Sequence, residues 1–150
     1  MSLLVTRAAS VADLPEILIM IKALAAHHDD TAVLGLDALE AHAFSSQPWI
    51  TLIVAEQRKN LIGYAGLTRM VQLQFDARGL DMHHLFVRKQ HRGLGVGAAL
   101  INACRTHATQ LNCRFLTVGT HPDNHAAQEV YLASGFERRP QPGPRFSLKL

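Results

Sequence analysis

The sequence predicts one mixed α/β domain over residues 1–150, and three observations carry that expectation. Strand-like and helix-like runs follow one another in the order β-α-α-β-β-β-α-β-α-β. The run "CRFLTVGT" (Cys113 to Thr120) is short, with apolar Cys113, Phe115, Leu116 and Val118, and reads as a strand buried inside a sheet. A glycine-rich stretch, "RGLGVG" (Arg92 to Gly97), sits between a strand-like run and a helix-like one. With 150 residues the chain suits one domain, and 48% hydrophobic against 18% charged residues argues for a packed core rather than disorder.

The elements follow in order. "LLVTRAA" (Leu3 to Ala9) reads as a first strand. Ser10 with Asp13 three positions on is close to a capping box, and Leu14, Ile17, Leu18, Ile21, Leu24 and Ala25 keep helical spacing to about His27. Asp37 is placed to cap a second helix through Phe44. "WITLIVAEQ" is a strand, "RKN" a tight turn and "LIGYAGLTRMVQLQF" a long returning strand ended by "ARG". Trp49, at the start of this hairpin, is expected to pack in the core. "LDMHHLFV" is a further strand leading into the glycines. A helix from about Gly95 to Leu111 turns Leu100, Ile101, Cys104 and Ala108 inward. "DNHAAQEVYLASG" is a helix closed by Gly135, and "RFSLKL" is a last strand after the loop "RPQPGP".

Composition excludes several function classes. A formal charge of +3 favours anionic partners mildly, but no Lys/Arg run has the density of a nucleic-acid-binding arm. A basic nucleic-acid module would show salt-dependent binding that other ligands do not displace. The longest apolar stretch, "ILIMIKALAA", is broken by Lys22 and is too short to span a bilayer. No signal-peptide pattern follows Arg7, so a cytoplasmic protein with no membrane partner is expected. Cys104 and Cys113 form no CxxC pair and read as reduced thiols. The adjacent pairs His27-His28 and His83-His84 lack the spacing of a zinc motif, so no metal is expected.

The glycines decide the rest. A helix N-terminus offers unpaired amides and a partial positive charge, and glycines before it let an anion approach without meeting a Cβ. A P-loop would need Lys-Ser/Thr after its last glycine, where this chain has Ala98-Ala99. A dinucleotide fingerprint would need GxGxxG and an acidic residue ending the next strand, where this chain has GxGxG and "TVGT". What fits is R-x-x-G-x-G at Arg92, Gly95 and Gly97. A second motif, N-x-x-A-x-x-x-Y-x-x-x-G-F, is met by Asn124, Ala127, Tyr131, Gly135 and Phe136. Together these resemble the GCN5-related N-acetyltransferases, the GNAT superfamily, nearest in motif to small-molecule, polyamine-type amine acetyltransferases.

That resemblance implies a single-domain GNAT fold: a twisted, mixed, mostly antiparallel sheet with helices on both faces, splayed between its fourth and fifth strands. It implies acetyl-CoA as co-substrate. The edge at Leu85, Phe86 and Val87 would pair with the pantetheine amides. Gly93, Leu94, Gly95, Val96, Gly97 and Ala98 would hold the pyrophosphate, with Arg92, Arg88 and Lys89 adding charge. Asn124 and Ala127 belong to the second motif, and Asn124 would hydrogen-bond the pantetheine arm. Tyr131 would stabilise the departing sulfur. Acetyl transfer also needs a neutral amine, and removing a proton of pKa ~10.4 at pH 7 costs about 4.6 kcal/mol. Polyamine-type members often carry a glutamate at the position of His83, and an imidazole there is a candidate base. Adjacent strand residues point to opposite faces, so at most one of His83 and His84 should face the acceptor. The resulting expectation is an N-acetyltransferase for a small primary amine; the alternative is a CoA-binding sensor without turnover. Related enzymes often form homodimers, and the hairpin reaching Phe75 is the candidate contact.

Overall fold

The computed structural model describes residues 3–140 and 143–150. Among these, five strands form one sheet in the order β1-β2-β3-β4-β5. They are β1 (Leu4–Ala8), β2 (Thr51–Gln57), β3 (Asn60–Gln72), β4 (Ala77–Val87) and β5 (Phe115–Val118). The first three junctions are antiparallel and β4–β5 is parallel. The helices are α1 (Leu14–His27), α2 (Leu36–Phe44), α3 (Val96–Gln110) and α4 (His125–Ala133).

Two apolar clusters lie on opposite faces of the sheet. On one face Leu14, Ile17, Met20 and Ile21 of α1 and Leu39 of α2 pack on Leu52, Val54, Tyr64 and Phe86. On the other, Val96, Leu100, Ile101, Cys104 and Ala108 of α3 pack on Ile53, Ile62, Ala65, Leu67, Leu80 and Met82. The i, i+4 spacing of the α3 residues explains why one helix face serves the whole sheet.

Local chemistry sets the joints. Asp13 accepts hydrogen bonds from the Ser10 backbone N–H (2.7 Å) and receives the Arg7 guanidinium at 2.7 and 3.0 Å, tying β1 to the start of α1. The Arg7 hydrogen bond outweighs burial and holds the Asp13 carboxyl at about 2. Arg58 and Lys59 both adopt positive φ, the geometry of a two-residue hairpin turn between β2 and β3.

Several expectations are corrected. α2 begins at Leu36 with Gly35 as its N-cap, so Asp37 lies in the first turn, where its charge favours the helix dipole. Trp49 is 81% exposed, because the sheet begins only at Thr51. "ARG" does not end an arm: β4 runs unbroken from Ala77, paired with β3 down to Gln72. β5 starts at Phe115 and is half-buried throughout, since it lies at the sheet margin rather than inside it. Residues 145–150 form no strand; Phe146 is 94% exposed, because no strand lies beside this alternating run to supply its hydrogen bonds.

The parallel junction is short. Only Gly79 to Met82 pair with Phe115 to Val118, and β4 then continues five residues further without β5. Gly79 allows the close approach: a Cβ built there would overlap the Phe115 ring. Gly79→Ala therefore should destabilise the fold by about 1–3 kcal/mol, as the ring must be displaced. Urea unfolding measures it; an unchanged midpoint would mean that the β4–β5 contact is looser than this.

Candidate active site

The glycine loop has the geometry that an anion requires. A short 3₁₀ turn, Lys89–His91, follows β4. Gly93 and Gly95 then adopt φ of +74° and +85°, the left-handed region that side chains disfavour. A Cβ at either would meet nothing within 4 Å, so the loop surface is open. The first bond of α3 runs from the Ala99 N–H to the Gly95 carbonyl (3.0 Å). The N–H groups of Val96, Gly97 and Ala98 are left without a helical acceptor, and no side chain caps them. Among the described residues, donor set, dipole and empty approach fit a diphosphate.

The other positions expected to hold the co-substrate divide by what their side chains do. Phe86 and Val96 are buried in the two clusters, so only their backbones are available. Leu85 and Val87 pack on the α3 face, and Leu94 is exposed. Arg92 donates from Nε to the Val87 carbonyl (2.8 Å) and lies 5.5 Å from the centre of the Phe86 ring, which fixes its stem at the loop base. Arg88 is turned away: it donates to Glu16 (2.7 Å) and to the Leu61 carbonyl (2.8 Å). Asn124 is the N-cap of α4, its Oδ1 accepting from the Ala127 N–H (3.1 Å), so its amide nitrogen is the part left for a ligand. Ala23, Ala26 and His27 of α1 face Phe86, Lys89 and Arg92 across an open cleft of about 430 Å³.

Tyr131 packs against the α3-face cluster, with the Phe136 ring edge-on at 5.9 Å. Burial raises its phenol pKa, so it stays protonated and able to donate.

The histidine pair differs from expectation. Gly66 pairs with His84 and Leu67 with Met82, so His83 is an extra residue in β4, a β-bulge. The bulge resets the alternation. Leu80 and Met82 face α3, yet so do Leu85 and Val87, while Phe86 faces α1. His83 and His84 consequently lie together, their rings stacked at 4.4 Å and 12°. The expectation of opposite faces assumed unbroken pleating and is wrong here. The sequence carried a signal of the bulge, since the apolar positions of "LDMHHLFV" change phase across the two histidines.

His84 also bonds Tyr64, from Nδ1 to the phenol oxygen at 2.9 Å, a residue that sequence reasoning missed. No local motif marks Tyr64, which reaches His84 only through the β3–β4 register. Burial first, then the charges of His83 and His28, push His84 from 6.5 down to about 4. The unfolded chain takes up a proton there as pH falls through 6.5; the folded chain does so only near 4. Stability from this group is therefore full above pH 6.5 and is lost as pH falls toward 4. Part of the ring meets solvent, so the loss should be roughly 1–2 kcal/mol. Urea titrations across this window should show a shallower slope in His84→Gln; an equal slope would assign the effect to other groups.

Among the described residues, no three His, Cys, Asp or Glu side chains come together as a metal site, and no helix is long and apolar enough to cross a membrane.

The sheet splits between β4 and β5 beside a glycine-lined helix start, and the family comparison makes the chain an acyl-group transferase. The chain belongs to the acetyltransferase (GNAT) family, whose model matches residues 21–136, and it is an N-acetyltransferase. It is 26% identical over 145 residues to thialysine N-epsilon-acetyltransferase of Bos taurus, covering 90% of this chain and 85% of that one. Its fold matches a solved aminoglycoside acetyltransferase from an uncultured soil metagenomic sample at TM-score 0.82, with 17% identity over 97% of both chains. It likewise matches aminoglycoside N-acetyltransferase AAC(6')-Iy in complex with CoA at TM-score 0.80, with 23% identity over 99% of this chain and 96% of that one.

Proposed function

We propose that the protein transfers the acetyl group of acetyl-CoA directly to a primary amine of a small molecule. One observation carries this reading: the last residues of β4, paired with β3 but not with β5, lead into a loop whose glycines clear the way to the free amides of α3. An extended amide chain would pair with the edge at Leu85 to Val87 as an added strand, while the amides of Gly93 to Ala98 hold its diphosphate. Arg92 adds charge there, and the Asn124 amide meets the pantetheine arm.

The split in the sheet joins its two faces, so groups on each can act on one thioester. On the α1 face His83 accepts the proton of the amine, whose nitrogen then bonds the acetyl carbon. The C–S bond breaks, the sulfur leaves as a thiolate to which Tyr131 donates a hydrogen bond, and the nitrogen gives up its second proton to solvent. A thiolate, whose thiol has a pKa near ~8.5, is a weaker base than a phenolate, whose phenol has one near ~10, and burial widens that gap, so Tyr131 stabilises the sulfur without surrendering its proton. Relatives named for thialysine and aminoglycosides support an amine acceptor. The exposed apolar hairpin tip, with Val71, Leu73 and Phe75, supports pairing of two copies.

Thiol release from acetyl-CoA with a panel of diamines, amino acids and amino sugars tests the reading. Turnover should depend on the amine, and His83→Ala should lower kcat by about 10²-fold and remove the acid limb of the pH–rate profile. Tight CoA binding with no turnover on any amine would instead make the chain a CoA sensor.

A further inference from the structure

We infer that Tyr64 locks His84 as a neutral ring with its hydrogen on Nε2, making it a positioning residue, and leaves stacked His83 as the one member of the pair that takes the amine's proton. This rests on the proposed acetyl transfer, whose base it refines.

The argument begins with the phenol. Tyr64 is 0% exposed, among Leu14, Ile17, Met20 and Phe86, and His84 Nδ1 is its hydrogen-bond partner at 2.9 Å. A phenol has one hydrogen to give. Were Nδ1 protonated, Tyr64 would have to accept, and its own hydrogen would lie among hydrocarbon with no acceptor. The favourable arrangement is donation from Tyr64 to a bare Nδ1, which puts the ring hydrogen on Nε2.

The remaining groups then break the symmetry between the two histidines. His84 meets Tyr64 from β3, His83 on its own strand and the field of His28 from the end of α1. A proton on His84 would have to displace the Tyr64 hydrogen from Nδ1, in a half-buried place already facing two rings that can become cationic. Burial disfavours that charge, consistent with the depressed pKa of His84. His83 is exposed and has no such lock. With ring centres 4.4 Å apart a charge on one ring opposes a charge on the other, and the lock leaves His83 as the ring open to the amine's proton. The flat neutral face of His84 meanwhile holds the His83 ring parallel to its own.

Long-range proton–nitrogen correlation spectra of the imidazoles, recorded from pH 8 to 5 on the whole protein, test this. His84 should show one neutral form with hydrogen on Nε2, and the first proton taken up should appear on His83. Hydrogen on His84 Nδ1, or protonation of His84 first, overturns the inference. In Tyr64→Phe, checked for folding by its amide spectrum, His84 should show both tautomers and take up protons at higher pH. Its kcat should fall roughly tenfold, well short of the ~10²–10⁴-fold carried by a general base, with KM for acetyl-CoA unchanged. An unaltered His84 spectrum in that variant also overturns the lock, and if the variant does not fold the wild-type spectra decide alone. Unchanged turnover in His83→Ala, with the His84 spectrum as expected, would instead remove His83 as the base while the lock stands.

Discussion

Tyr131→Phe should lower kcat by about 10²–10³-fold while the Kd for CoA stays nearly unchanged. The substitution removes one oxygen from a side chain whose ring is held edge-on to Phe136 and against the α3-face cluster, so the packing survives. On the proposed mechanism what goes is the donor to the departing sulfur, needed most when the C–S bond is breaking and least when CoA is merely bound. An interaction made chiefly in the transition state appears in kcat and kcat/KM together, not in ground-state affinity. Steady-state thiol release and calorimetry on the same preparation measure both. If kcat is retained, the phenol takes no part and water or another group meets the sulfur.

Gly97→Ala should weaken CoA binding by roughly 10²-fold, the loss of one or two charge-assisted hydrogen bonds, while making the protein more stable. The stability gain follows from position. Gly97 lies within the first turn of α3, and an added Cβ meets only Val87 Cγ2 at 4.0 Å, an ordinary contact. Alanine in a helix is favoured over glycine by about 0.5–1 kcal/mol. The binding loss follows from what the methyl would cover, since it rises beside the free amides of α3. Gly95→Ala should weaken CoA in the same way but destabilise the fold by about 1–2 kcal/mol, because Gly95 holds φ of +85°. Opposite changes in unfolding midpoint with the same change in affinity would separate a ligand's need for bare backbone from the chain's own. Wild-type affinity in Gly97→Ala would mean that the diphosphate does not rest on the start of α3.

Most of the fold was legible because its elements announce themselves locally. α1 and α3 lie where apolar spacing put them, and the two motifs fall where a family's backbone requires glycine or a capping asparagine. What was not legible depends on neighbours distant in the chain. "RFSLKL" alternates like a strand, but a strand needs a partner, and none lies beside it. "CRFLTVGT" reads as interior because apolar content does not say how many neighbours a strand has. Arg88 looked like a phosphate ligand by its place before the glycines, yet Glu16, distant in sequence, claims it. Tyr64 carries no motif at all. Its bearing on His84 comes from cross-strand register, which one chain read in order does not display.

The extra residue at His83 also bears on how this chain tolerates change in length. A single missing codon at His83 would remove the bulge and restore regular pleating, with every later side chain of β4 still on the face it now holds. Leu85, Phe86 and Val87 would keep Ala65, Tyr64 and Gly63 as cross-strand partners, so the Phe86 ring would stay beneath α1 and the other two on the α3 side. Inheritance can thus add or drop this one residue and change only the ring that stands beside His84, leaving the rest of the sheet as it is.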